Sequence, residues 1–105
     1  MILKVFAVYD AKAECFSTPF FQATLGLAIR GFKDAANDAN SAVGRHPADY
    51  TLFELGTFDD SNGQYVESKV HTPHGKALDY VEHQTDFLHK LGEEEVEELR
   101  TNGQS

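Results

Sequence analysis

The sequence contains one cysteine, which excludes an intrachain disulfide and is typical of a protein from a reducing compartment. Its apolar runs are far shorter than the roughly 20 residues that a membrane-spanning helix needs. Its N terminus also lacks the positively charged and then apolar segment of a secretory signal. We therefore expect a soluble, intracellular protein with no membrane partner.

Motifs of catalysis and cofactor binding are also missing. The sequence has no P-loop, no glycine-rich dinucleotide turn, no nucleophile elbow and no internal repeat. His71 and His74 have a spacing found in zinc sites, but no cysteine or third histidine accompanies them in a zinc pattern. Asp59 and Asp60 lack the carboxylate spacing of a calcium loop, and we expect them to cap a turn. We expect a protein that is not an enzyme and that has no catalytic residues, metal ion or cofactor.

Positive charge is scarce, since nine Lys and Arg residues face seventeen Asp and Glu residues and give a net charge of −8. Attraction to phosphate supplies most of the non-specific affinity for nucleic acids, so the net charge alone argues against such a partner. The charge is unevenly distributed, however. Residues 93–98 hold five of the acids, and residues 1–91 carry eight basic residues against twelve acidic ones, which is −4. The main body is therefore only mildly acidic.

Residues 49–70 give the strongest local signal. Two runs rich in β-branched and aromatic residues flank a turn cluster that ends in Asn62 and Gly63, a dipeptide that tolerates positive φ. The segment predicts a β-hairpin. Alternation along its first strand predicts two sets of side chains on opposite faces. Phe53 and Leu55 are expected on one face, and the other is expected to carry Tyr50, Leu52, Glu54 and Phe58.

The remaining segments predict one strand and two helical regions. Residues 2–9 are apolar at nearly every position, which is typical of a strand covered on both faces. Residues 10–22 have no regular period and predict a connection. Thr24 is a candidate N-cap for an amphipathic helix over residues 24–38. Residues 70–75 predict a short connection, and residues 76–92 predict a second helix or helix pair.

These elements follow the order β-α-β-β-α and predict an α+β fold. We expect a three-stranded mixed sheet packed on a long helix, with a C-terminal helix and an acidic tail. Residues 1–92 would form a single domain and residues 93–105 a disordered tail. A strand-helix-strand unit favours a right-handed crossover, so the first two strands are expected to be parallel. The sheet face away from the long helix needs the C-terminal helix or a second subunit, and a homodimer is one expected assembly.

The chain resembles the small nonstructural, DNA-binding protein of gokushovirus-type microviruses, which are single-stranded DNA phages. The most specific part is the run His-Pro-x-Asp-Tyr-x-Leu-Phe-x-Leu-Gly at residues 46–56. Matching pieces also lie at residues 3–6, 9–14, 19–21, 28–32, 34–38 and 59–63. The resemblance covers roughly residues 1–81. It implies a protein of the host-cell cytoplasm that binds single-stranded DNA and acts in genome replication or in its switch to packaging.

The resemblance assigns no residue a role, so candidate contacts come from residue type alone. Single-stranded DNA is bound by basic side chains that follow the backbone and by aromatic rings on which bases stack. Eight residues are candidates: Lys4, Lys12, Arg30, Lys33, Arg45, Tyr9, Phe21 and Tyr50. The alternative function is an acidic interaction module that binds host replication or phage assembly proteins without touching DNA. Net charge favours the alternative, and the family resemblance favours DNA.

Overall fold

The computed structural model describes residues 1–82, and these residues form a β-sheet with one helix of 12 residues and a shorter one. The strands are β1 (Ile2–Asp10), β2 (Cys15–Phe16), β3 (Phe20–Gln22), β4 (Tyr50–Asp59) and β5 (Gln64–Lys76). The helices are α1 (Leu25–Ala36) and α2 (Ala42–Arg45), with 3₁₀ turns at Pro47–Asp49 and Ala77–Tyr80. None of the helices within these 82 residues is long and apolar enough to cross a membrane.

The sheet has five strands, and every pairing in it is antiparallel. Its order is β2-β1-β4-β5, and β3 pairs with β1 on the same side as β2. The predicted three-stranded mixed sheet is therefore wrong. In particular, β1 and β4 were expected to be parallel, whereas Ile2 pairs with Asp59 and Asp10 pairs with Tyr50.

The two short strands explain this difference. They lie in the segment 10–22, which was predicted to be a connection, and they turn the chain back along β1 until Gln22 pairs with Lys4. Helix α1 therefore starts near the beginning of β1. Its 12 residues rise about 18 Å, and the chain reaches the end of β1 before β4 starts beside Asp10. From that position β4 can only run antiparallel to β1.

The amphipathic helix predicted over residues 24–38 is present as α1, but at 12 residues it is not the long helix that was expected. Thr24 has an extended backbone, and its side-chain oxygen accepts a hydrogen bond from the Leu27 N–H at 3.2 Å. This bond satisfies one of the free N–H groups of the first turn. One side of the helix buries Ala28, Phe32 and Ala36 against the sheet residues Phe6 and Leu52, and Ala77 completes the core. The apolar stripe in the sequence is the buried side of α1.

The predicted hairpin is also confirmed. Strands β4 and β5 are joined by a turn in which Gly63 has φ of +74°. Asp59 accepts hydrogen bonds from both the backbone N–H and the hydroxyl of Ser61, at 2.9 and 2.6 Å. These bonds lower the pKa of the Asp59 carboxyl. Asp60 instead pairs with the N-terminal ammonium at 2.8 Å.

The segment after the hairpin differs from the prediction. Residues 70–75 were expected to be a connection, but they continue β5, which ends only at Lys76. The helix expected from residue 76 is a short 3₁₀ turn, and Val81 after it is extended with φ of −69° and ψ of 126°. The rest of that predicted helix and the acidic tail lie outside the described residues.

Candidate nucleic-acid interface

The antiparallel pairing sorts the strand residues onto two faces, because partners across a ladder project to the same side. The helix face packs against α1 through Phe6 and Leu52 and includes their neighbours Lys4, Val8, Tyr50 and Glu54. The opposite side is termed the open face. Its residues are Leu3, Val5, Ala7, Tyr9, Phe16, Phe21, Thr51, Phe53, Phe58, Tyr65, Glu67, Pro73 and Lys76. Every helical residue of the core cluster packs with residues of the helix face.

A β-bulge at Leu55 decides which aromatic residues reach the open face. Phe6 pairs with Glu54, whereas the preceding Val5 pairs with Gly56, so Leu55 is the extra residue of β4. An extra residue reverses the alternation beyond it. Phe58 therefore shares a face with Phe53 rather than with Tyr50 and Leu52, and the predicted face of Phe58 is wrong.

Six of the eleven Phe and Tyr residues within residues 1–82 lie on the open face. One group is formed around Phe16, whose ring centroid is 4.9 Å from that of Tyr9 and 5.4 Å from that of Phe53. Both contacts are edge-to-face, which leaves ring surface available for a further partner. Phe16 remains 44% exposed despite these contacts. The group therefore presents open aromatic surface.

A second aromatic group surrounds a cleft of about 340 Å³ on the same face. The rings of Phe21 and Phe58 are 5.2 Å apart, and Tyr65 pairs with Phe58 across the β4–β5 ladder. Partial desolvation raises the pKa of Tyr65, and the nearby Glu67 carboxylate adds to this effect. Phe21 and Tyr65 are each 46% exposed. The lining is almost wholly apolar and is completed by Val5, Pro19 and Leu55.

Acidic residues are unequally divided between the two faces. Among the paired strand residues of the open face, Glu67 is the only carboxylate, and it contacts His71 at 2.9 Å. The helix face carries Asp10, Glu54 and Asp59. Lys76 pairs with Thr51 and adds a positive charge to the open face. The negative net charge of the protein is therefore not a property of its aromatic face.

Comparison with known proteins gives one family. The family model of the phage ORF5 protein matches residues 3–78. The chain belongs to this family. The match confirms that this is a phage protein, as the resemblance implied. It covers both helices and all five strands except Ile2, the first residue of β1. No curated protein and no solved structure gave a significant match.

The structure brings together only part of the predicted contact set. Tyr9 and Phe21 both lie on the open face. Lys4 and Tyr50 project from the helix face instead, where Lys4 Nζ lies 3.6 Å from Glu54 Oε2. Tyr50 packs against the core, and burial, aided by Asp10, raises its pKa.

The other four candidates lie outside the sheet. Arg30 and Lys33 are on α1, which packs on the helix face, and Lys33 Nζ is 2.6 Å from Glu82 Oε1. This ion pair raises the pKa of Lys33 and lowers that of Glu82. Lys12 lies in the turn after β1 and Arg45 ends α2. The turn after β1 is joined to the 3₁₀ turn after α2 by a hydrogen bond from the Ala11 N–H to the Asp49 carbonyl oxygen at 2.9 Å.

Several residues of the open face were not among the sequence candidates: Phe16, Phe53, Phe58, Tyr65 and Lys76. Lys69 and His71, which lie beside this face, were not candidates either. Phe16 belongs to a two-residue strand, which gives no periodic signal. The face of Phe58 and of its ladder partner Tyr65 depends on the bulge, which simple alternation along β4 does not predict. The sequence did contain one relevant signal, because a single glycine within a strand pattern, here Gly56, indicates a bulge or a close backbone approach.

The two histidines with zinc-like spacing contact different carboxylates. His71 Nε2 is 2.9 Å from Glu67 Oε1, and His74 Nε2 is 3.0 Å from Glu54 Oε1. The first pair lies beside the open face, and the second lies beside Phe6 of the core. Within residues 1–82, no group of three potential ligands could hold a metal ion.

Proposed function

We propose that this phage protein binds single-stranded DNA on the open face and acts in genome replication or in its switch to packaging. The observation that carries the proposal is the concentration of six aromatic residues on a sheet face to which the core helices do not pack. Unpaired bases stack on such rings, and each stacked base contributes about 1 to 3 kcal/mol. The stage of the phage cycle comes from the family resemblance alone.

The charge distribution supports the same face. A nucleic-acid surface needs few carboxylates, because each one repels phosphate. The open-face strand residues include one carboxylate, whereas the helix face holds the ion pairs of Glu54. Bases in a duplex are already stacked on each other, so a stacking surface favours single strands over double strands.

The test is fluorescence anisotropy with labelled single-stranded DNA, double-stranded DNA and single-stranded RNA of one sequence, at low and moderate salt. Phe16→Ala and Phe21→Ala remove half-exposed rings and are expected to weaken binding of single-stranded DNA about 5- to 150-fold. Leu27→Ala is the matched control, because Leu27 is 36% exposed on α1, away from the open face.

Three results would contradict the proposal. Wild-type protein that binds no single-stranded DNA at micromolar concentration and low salt would favour the alternative, an interaction module for host replication or phage assembly proteins. If Leu27→Ala weakens binding of single-stranded DNA as much as Phe16→Ala does, the open face is not the binding surface. Tighter binding of the RNA would change the ligand from DNA to RNA.

A further inference from the structure

Strand β5 has a register irregularity beside the open face, where four of its residues have no direct partner in β4. Thr72 pairs with Glu54 and Glu67 pairs with Gly56, so residues 68–71 lie opposite the single residue Leu55. Side chains four residues apart on an extended strand are separated by about 13 Å. The Glu67 carboxylate nevertheless contacts the His71 ring at 2.9 Å. The backbone of residues 68–71 therefore departs from a regular strand, and this segment is termed the β5 loop.

The β5 loop places polar groups against the aromatic surface. The His71 ring is 6.2 Å from the ring of Phe16 and nearly perpendicular to it. Glu67, Ser68, Lys69 and His71 line a hollow of about 430 Å³. Lys69 is exposed, and its ammonium makes no ion pair with any other residue in the range 1–82. A lysine ammonium, a serine hydroxyl and an imidazole N–H are all donors that suit a phosphate oxygen.

A nucleotide joins its base to its phosphate through one sugar, so a base stacked on Phe16 brings its phosphate close to this loop. We propose that Lys69 and His71 contact backbone phosphates of the bound single strand, and that Glu67 competes with phosphate for His71. The inference rests on the proposed function, because it requires a strand on the open face. It adds the path of the bound DNA, whose backbone would run from the aromatic rings across β5.

Salt dependence separates phosphate contacts from stacking. Each phosphate neutralised in a single strand adds about 0.7 to the negative slope of log K against log salt concentration. Lys69→Gln is therefore expected to reduce the steepness of the slope by about 0.7 and to weaken binding several-fold at low salt. Arg30→Gln is the matched control, since it removes one exposed positive charge from α1. It should leave the slope unchanged.

Glu67→Gln tests the competition. Removing the only carboxylate among the paired open-face residues should tighten binding several-fold at low salt, with a smaller gain as salt screens the charge. Unchanged affinity of Glu67→Gln would refute the competition. If wild-type protein and Arg30→Gln bind normally and Lys69→Gln has the same slope as they do, the phosphate path across β5 is wrong and the stacking proposal still stands. Absence of any binding by wild-type protein would overturn both proposals.

Discussion

Gly56 lies in β4 next to the bulge, and its missing side chain makes room for the backbone of β5. A Cβ atom at this position would stand 2.2 Å from the carbonyl oxygen of Val66 and 3.0 Å from the Cα of Glu67. Both are backbone atoms, so no side-chain rotation relieves the contact. Gly56→Ala must therefore separate β4 from β5 locally or shift their register.

The cost follows from the ladder that this separation breaks. Gly56, Thr57, Phe58 and Asp59 are the β4 residues that pair with the first part of β5. Loss of two or three of these backbone hydrogen bonds costs about 1 kcal/mol each, and residual strain adds about 1 to 3 kcal/mol. We expect Gly56→Ala to lower the free energy of unfolding by roughly 3 to 6 kcal/mol, a large share of the 5 to 15 kcal/mol typical of a domain.

Gly31→Ala is the matched control, because it makes the same chemical change where there is space. Gly31 is exposed within α1, and a Cβ there meets no atom within 4 Å. The substitution should raise the free energy of unfolding by about 1 kcal/mol, since alanine favours a helix over glycine by that amount. Urea unfolding followed by circular dichroism measures both variants. A Gly56→Ala midpoint at or above that of the wild type would refute the close approach of the two strands.

Two further predictions concern the helix and the core. Thr24→Ala should lower the free energy of unfolding by about 1 kcal/mol because it removes the N-cap bond to Leu27, and Thr24→Ser should restore it; equal stability of all three proteins in urea would show that the cap contributes nothing. Phe6→Ala should cost about 3 to 5 kcal/mol, since the side chain is fully buried and its ring lies 5.8 Å from that of Phe20. A loss below about 1 kcal/mol would contradict the position of Phe6 at the centre of the core.

The parts of the fold that could be predicted depend on local signals. Thr24 and the apolar stripe after it identify α1, and Asn62-Gly63 between two β-prone runs identifies the hairpin. The direction of β4 relative to β1 could not be predicted in the same way. It depends on β2 and β3, which are two and three residues long and form only because β1 offers them an edge. Tertiary pairing of this kind leaves no periodic pattern in the sequence.

The candidate site was only partly predictable for a related reason. Residue type alone defined the predicted contact set, and two of its aromatic members, Tyr9 and Phe21, lie together on the open face. Residue type does not reveal which face of the sheet a side chain occupies. Three of the basic candidates therefore lie on the helix face or on α1 itself: Lys4, Arg30 and Lys33. A face is a property of strand register, and one extra residue in β4 reverses it.

The bulge connects the stability of the sheet to the proposed binding surface. Strict alternation along β4 would place Phe58 and its partner Tyr65 on the helix side, and the 340 Å³ cleft would lose two of its walls. The extra residue Leu55 turns both rings toward Phe21 instead. Residues 68–71 of β5 lie opposite Leu55, and at the neighbouring Gly56 the two backbones are so close that only glycine fits. The aromatic cleft, the β5 loop and the close approach at Gly56 thus lie beside the same bulge, and a change that straightens β4 should alter all three together.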